Sequence, residues 1–194
     1  GAVARGWRGR GVHRRWPHPR SGRGRGSARL GRAAVLRHRC RPHGVRLGLE
    51  FVGPHHLRAG GANAMGPQPT LWTLEQTLAL IAAIGPNGLG LLVDSYHLDT
   101  TSTDAAALLP LGDALIVHAH INDAGSETTA ETALDGNRVL PGAGRLPLQH
   151  YVDVLNAIGY RGFLCCEVLT PTPLGPTPTD AANNIRESLR RLGV

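Results

Sequence analysis

Lysine is absent from this chain, so all 21 of its Lys/Arg positions are arginine, which fits a very GC-rich coding source. Aromatic residues make up only 4%, yet the 41% hydrophobic fraction suffices for a core. No run of eighteen apolar residues occurs, which excludes a hydrophobic membrane-spanning helix. The N-terminus is charged but has no apolar stretch behind the charge, so no secretory signal is expected there. Cysteines are few: Cys40, Cys165 and Cys166. Adjacent cysteines rarely bridge each other and the odd number argues against a disulfide framework, so a reducing, cytoplasmic setting is the default expectation. The length of 194 residues suits one domain or an incomplete piece of a larger one.

Acid is the most unevenly missing component. Up to Gly48 the chain carries fourteen arginines and no Asp or Glu; from Leu49 onward it carries all fourteen acids and seven arginines. The net charge of +7 therefore sums a strongly basic segment and an acidic remainder. Residues 1–41 are rich in Gly and Arg with almost no apolar periodicity before Ala33, too little to offset the entropy of ordering. Three readings compete for them. The composition matches GC-rich DNA translated out of frame, a solvated disordered tail, or a nucleic-acid-binding arm with Trp7 and Trp16 as stacking partners. The first is preferred, because the change to ordinary patterning near Pro42 is abrupt.

Residues 42–194 read as strands and helices in strict alternation. Val45–Phe51 is the first predicted strand, with Gly48 and Glu50 on one face and Leu47, Leu49 and Phe51 on the other. A loop runs from Val52 to about Thr70, and Thr73 caps a predicted helix over Leu74–Ile84 that Gly85-Pro86 stops. Gly90–Val93 then forms a short apolar strand ending in Asp94-x-x-His97. Ser102 or Thr103 is expected to cap a short helix through Leu109. Ala114–His120 follows as a strand with Ile116, His118 and His120 on one face. After a long polar loop, a helix over Leu148–Ile158, a strand over Gly162–Val168 and a helix over Ala181–Leu192 complete the pattern. The fold class is α/β, a partial (β/α)8 barrel of about four βα units corresponding to strands five to eight. Such a half leaves two raw sheet edges, so halves associating as a homo-oligomer, or a longer natural chain, is expected.

Glu50, Asp94, His120 and Glu167 each end a different predicted strand, 26 to 47 residues apart. In barrels the carboxyl ends of several strands converge on one site. Three buried carboxylates repel one another without a cation, and this donor set suits Mn²⁺, Mg²⁺ or Co²⁺, with Zn²⁺ ranked behind them. His118 fits a supporting place inside the barrel. The Pro141-Gly142-Ala143-Gly144 stretch reads as the turn before the next helix, being weak as a phosphate cradle.

The segments LGLEFVGP, LLVDSYH, IVHAHINDA, NRVLPGAG and IGYRGFLCCEV, in that order, resemble the carboxyl half of the sugar phosphate isomerase/epimerase family. This is the xylose isomerase-like TIM barrel group, which also includes ketose 3-epimerases, inosose dehydratases and endonuclease IV. The resemblance implies a divalent-metal isomerase or epimerase acting on a sugar, sugar phosphate or polyol by proton transfer beside a carbonyl. It implies Glu50, Asp94, His120 and Glu167 as metal ligands, Glu50 and Glu167 also as the acid/base pair, and His97 and Arg138 as substrate contacts. His56 stands where epimerases carry another acid and falls to the substrate side. A small-molecule partner is implied, with no membrane. An endonuclease IV-like or arm-mediated nucleic-acid role ranks lower, because most of the histidines lie in the N-terminal segment or singly on strands. An inactive truncated fragment is the remaining alternative.

Overall fold

The computed structural model of the protein describes residues 26–58 and 71–194. Trp7 and Trp16 of the expected arm, and most of the loop expected to reach Thr70, lie outside the described residues. In chain order the elements are α1 (Gly26–Cys40), β1 (Leu47–Glu50), α2 (Leu74–Ile84), β2 (Leu89–Asp94), α3 (Ser95–Thr100), β3 (Ile116–Ile121) and β4 (Asp123–Ala124). β5 (Arg138–Val139), α4 (Leu148–Ala157), β6 (Leu164–Cys166) and α5 (Pro178–Arg191) follow. Strands β1-β2-β3-β6 form one sheet in that order, every neighbour parallel, while β4 and β5 make a small antiparallel pair. Among the described residues β1 and β6 are the sheet's edges, and the barrel does not close.

Period-two alternation divides this sheet into two faces. Leu89, Leu91 and Val93 of β2 are fully buried against the helices, joined by Phe51, Leu74 and Ile81. Each such burial stabilises by about 1.5–3 kcal/mol. Gly48, Glu50 and Asp94 take the other phase, toward the barrel interior. At Gly48 the interior is tight: a Cβ there would meet the Cβ atoms of Leu92 at 3.2 Å and Val117 at 3.3 Å.

Four local expectations change. Ile116 does not share a face with His118 and His120; it joins the helix-side core. The reason is a bulge, since Leu91 pairs with Ile116 but Leu92 pairs with His118, so Val117 is the extra residue that resets the alternation. The helix expected from Ser102 or Thr103 is a 3-10 segment, Ala105–Leu111, capped by Asp104, whose carboxylate accepts from the Ala106 N–H at 2.7 Å. Ser102 instead takes a left-handed conformation (φ 52°). The last helix starts earlier than Ala181, its cap being Thr177. Finally, α1 occupies residues that composition alone left without structure. Arg37 fastens it by donating to the carbonyls of Ile84 at 2.9 Å and Gly85 at 3.2 Å, at the end of α2. Thr73 caps α2 as its sequence predicts, accepting from the Gln76 N–H.

Candidate metal centre

Parallel pairing delivers the four strand-end residues to one place. Asp94 lies beside His120 in register, and Glu50 and Glu167 flank them from β1 and the end of β6. One ligand atom from each of Glu50, Asp94, His120 and Glu167 lies within 4.8 Å of all the others. His120 Nδ1 is the hub, at 3.4 Å from Glu50 Oε1, 3.6 Å from Asp94 Oδ2 and 3.2 Å from Glu167 Oε2. The Asp94 carboxylate foremost, then Glu50, pushes the His120 imidazole up to about 10.

Asp94 is the fixed member. Its carboxylate caps α3 by accepting from the Tyr96 N–H at 2.7 Å, and takes Arg138 Nη1 at 2.9 Å. Asn122 Nδ2 donates to both of its oxygens, at 3.0 and 3.2 Å. Burial by itself would raise this carboxyl; His120, His97, Arg138 and the Tyr96 amide outweigh that and hold it well below the usual carboxylate range. Arg138 also pairs with Glu167 at 2.9 Å and Asp135 at 2.6 Å, and lies 4.9 Å over the Tyr96 ring. Its side chain is 1% exposed, so it stands inside the wall of the site, engaged with carboxylates. The substrate contact implied by resemblance thus falls on a guanidinium already occupied by three acids.

The other expected residues are placed as follows. His97 belongs to α3, which begins directly after β2 with no intervening loop; it is buried, with Nε2 3.8 Å from Glu50 Oε1. His56 sits half-buried in a 3-10 turn, His55–Leu57, six residues past Glu50. His118 meets the His120 ring edge-on at 5.1 Å, and burial lowers its basicity. The Gly142–Gly144 turn is no phosphate cradle, because its amides are taken. Asp123 accepts from the N–H groups of Gly142, Gly144 and Leu146 at 2.9–3.1 Å. A Cβ on Gly144 would collide with the Ala124 carbonyl. Burial pushes the Cys166 thiol up to about 11, and all three cysteines are free. A cavity of about 290 Å³ lies elsewhere, between α3, the 3-10 segment and α4, lined by Asp99, Asp104, Leu148 and His150 among others.

Asn122, Ser95 and Asp123 carry much of this architecture, and the sequence marks them only weakly. The available signal was alternation: Asn122 stands two residues past His120 and so shares its side of the strand.

The residues fit a divalent cation. Glu50 Oε1 and His120 Nδ1 are both buried atoms with no hydrogen-bond partner among the described residues, although they face each other at 3.4 Å. Three carboxylates converging on one imidazole make a hard, oxygen-rich donor set.

The family model described as xylose isomerase-like TIM barrel matches residues 10–193, and the chain belongs to that family. Among curated proteins it is similar to an inosose isomerase of Bacillus velezensis, at 27% identity over 147 residues, 76% of this chain and 48% of that one. The chain thus spans about half the length of the curated relatives it matches. Among solved structures it is similar to a xylose isomerase domain protein from Alicyclobacillus acidocaldarius. That likeness has TM-score 0.73 and 36% identity and covers 89% of this chain and 60% of that one. The IolI protein with a bound zinc atom shares the fold, with TM-score 0.72 and 23% identity over 86% of this chain and 55% of that one. No helix among the described residues is long and apolar enough to cross a membrane.

Proposed function

We propose that residues 42–194 are the metal-holding, proton-transferring half of a divalent-metal-dependent isomerase or epimerase acting on a sugar, sugar phosphate or polyol. The convergence of Glu50, Asp94, His120 and Glu167 is the observation that carries it; the likeness to an inosose isomerase points the same way. These four would hold the cation, Mn²⁺, Mg²⁺ or Co²⁺ before Zn²⁺ on donor hardness. A bound cation supplies a Lewis acid that polarises the substrate carbonyl and so acidifies the adjacent C–H.

The chain's own residues do the rest. Glu50 and Glu167 approach His120 from opposite strands of the sheet, so one carboxylate takes the proton beside the carbonyl while the other returns one. Asp94, fully buried and held by fixed donors, stays charged and does not join the transfer. His97, 3.8 Å from Glu50, and His56, six residues past Glu50 in the chain, would read substrate hydroxyls; Arg138 orients Asp94 and Glu167.

Metal analysis and isotope exchange test this reading. The purified chain should take up one equivalent of Mn²⁺ or Co²⁺ and lose it in Glu167→Gln. With ketoses and inososes in D₂O, proton NMR should show deuterium entering beside the carbonyl. Metal content unchanged in Glu167→Gln would count against the site.

A further inference from the structure

The dipeptide Asn122-Asp123 closes the motif around His120, and no role in metal binding or proton transfer falls to it. Asn122 is nevertheless fully buried, at the point where the chain leaves β3. Its main chain is locked from both sides by one hydroxyl. Ser95 Oγ donates to the Asn122 carbonyl at 2.9 Å and accepts from the Asn122 N–H at 3.1 Å. From that fixed position the carboxamide nitrogen reaches both oxygens of Asp94.

We propose that Asn122 is a positioning residue of the metal centre, setting the rotation of the Asp94 carboxylate so that Oδ2 faces His120 and the two glutamates. The proposal rests on the metal-centre reading above. The donor inventory supports it. Asp94 Oδ1 accepts from the Tyr96 N–H at 2.7 Å and from Asn122 at 3.0 Å. Oδ2 takes Arg138 and the longer Asn122 contact, and points at His120 from 3.6 Å. Tyr96 and Arg138 each hold one oxygen; among the described residues Asn122 is the one that donates to both, so it fixes the carboxylate plane. A carboxamide is also the required chemistry. An Asp at 122 would set a second buried carboxylate about 3 Å from the first, a like-charge contact that only protonation relieves. Ser95 in turn ties the end of β3 to the start of α3, so the group that orients Asp94 and the residue that follows it move as one unit.

The test uses the full chain and Co²⁺ as probe, read by its visible d–d absorption and by competition with a chromophoric chelator. Asn122→Ala should bind Co²⁺ about 10–100-fold more weakly, the usual scale for groups that orient metal ligands. Its Co²⁺ spectrum should also shift, because the ligand field changes. Ser95→Ala, which removes a hydroxyl bonded to the Asn122 main chain, should move both readings the same way by less. Thr77→Val, which alters a buried hydroxyl in α2 remote from the cluster, is the control for general destabilisation and should leave the spectrum unchanged. If Asn122→Ala does not fold, Asn122→Ser carries the same comparison. Native affinity and an unshifted spectrum in a folded Asn122 variant overturn the positioning role while leaving the metal centre standing. No Co²⁺ uptake by the wild-type chain overturns both.

Discussion

Asp94 and the two glutamates approach the same hub under opposite constraints. The Asp94 side chain is 0% exposed and accepts from the Tyr96 amide, Asn122 and Arg138. Glu50 and Glu167 keep 27% and 36% side-chain exposure; Arg138 reaches Glu167, while among the described residues the ionisable partners of Glu50 are His97 and His120. A carboxylate surrounded by fixed donors can anchor a cation but cannot reorient to collect a proton. A half-exposed carboxylate beside an imidazole can do both. One cluster thus contains a rigid half, suited to holding charge, and a looser half, to which the proposed function gives the proton transfer.

The rigid half should respond most strongly to substitution. Replacing Arg138 with Met removes the guanidinium paired with buried Asp94, and breaking such a pair costs about 3–5 kcal/mol. Urea unfolding of the metal-free chain measures it. A loss below about 1 kcal/mol would mean that His120 alone balances the carboxylates, and the distinction between halves would weaken.

The looser half should behave the other way. Glu50→Gln should abolish deuterium exchange while costing less unfolding free energy than Arg138→Met, about 1 kcal/mol, because Asp94 still stabilises the protonated His120. Comparable stability losses in Glu50→Gln and Arg138→Met would erase the contrast.

What the sequence disclosed follows this same divide. Glu50, Asp94, His120 and Glu167 were legible because an apolar run with period two predicts both the strand and the side its last polar residue faces. The Thr73 cap was legible for a similar reason: its partner, Gln76, is three residues away. Asn122, Asp123 and Ser95 were not, since their partners lie 19 to 28 residues off and a polar pair after a strand reads as loop. The Val117 bulge was silent because nothing in a β-branched residue marks it as extra. Helix α1 was hidden by its arginines; Arg37 serves carbonyls 47 and 48 residues away, a cap that no local pattern encodes.

The hub between the halves predicts a pH dependence. His120 has its folded value raised from 6.5 to about 10 by Asp94 and Glu50. In the metal-free chain its stabilisation is therefore complete below pH 6.5 and is lost as pH rises through about 10. Urea midpoints should fall across that window, and His120→Asn should flatten the fall. A metal ligand must be neutral imidazole, so Mn²⁺ uptake at pH 7 should also release a proton. Calorimetry in buffers of different ionisation enthalpy detects it.

The smallest effect belongs to the main chain that carries both halves. The Tyr151 hydroxyl, fully buried in α4, shares its hydrogen between the carbonyls of Val93 at 3.2 Å and His120 at 3.1 Å. It spans the ends of β2 and β3 next to Asp94 and at His120 itself. Tyr151→Phe keeps the ring and loses the bridge, at about 1 kcal/mol in unfolding free energy. Carboxylate orientation is set by Asn122 and Arg138, which this change leaves untouched, so Co²⁺ affinity should stay within a few-fold of wild type. If it fell as far as in Asn122→Ala, strand spacing and not side-chain fixation would govern the centre, and the rigid half would owe its rigidity to the sheet.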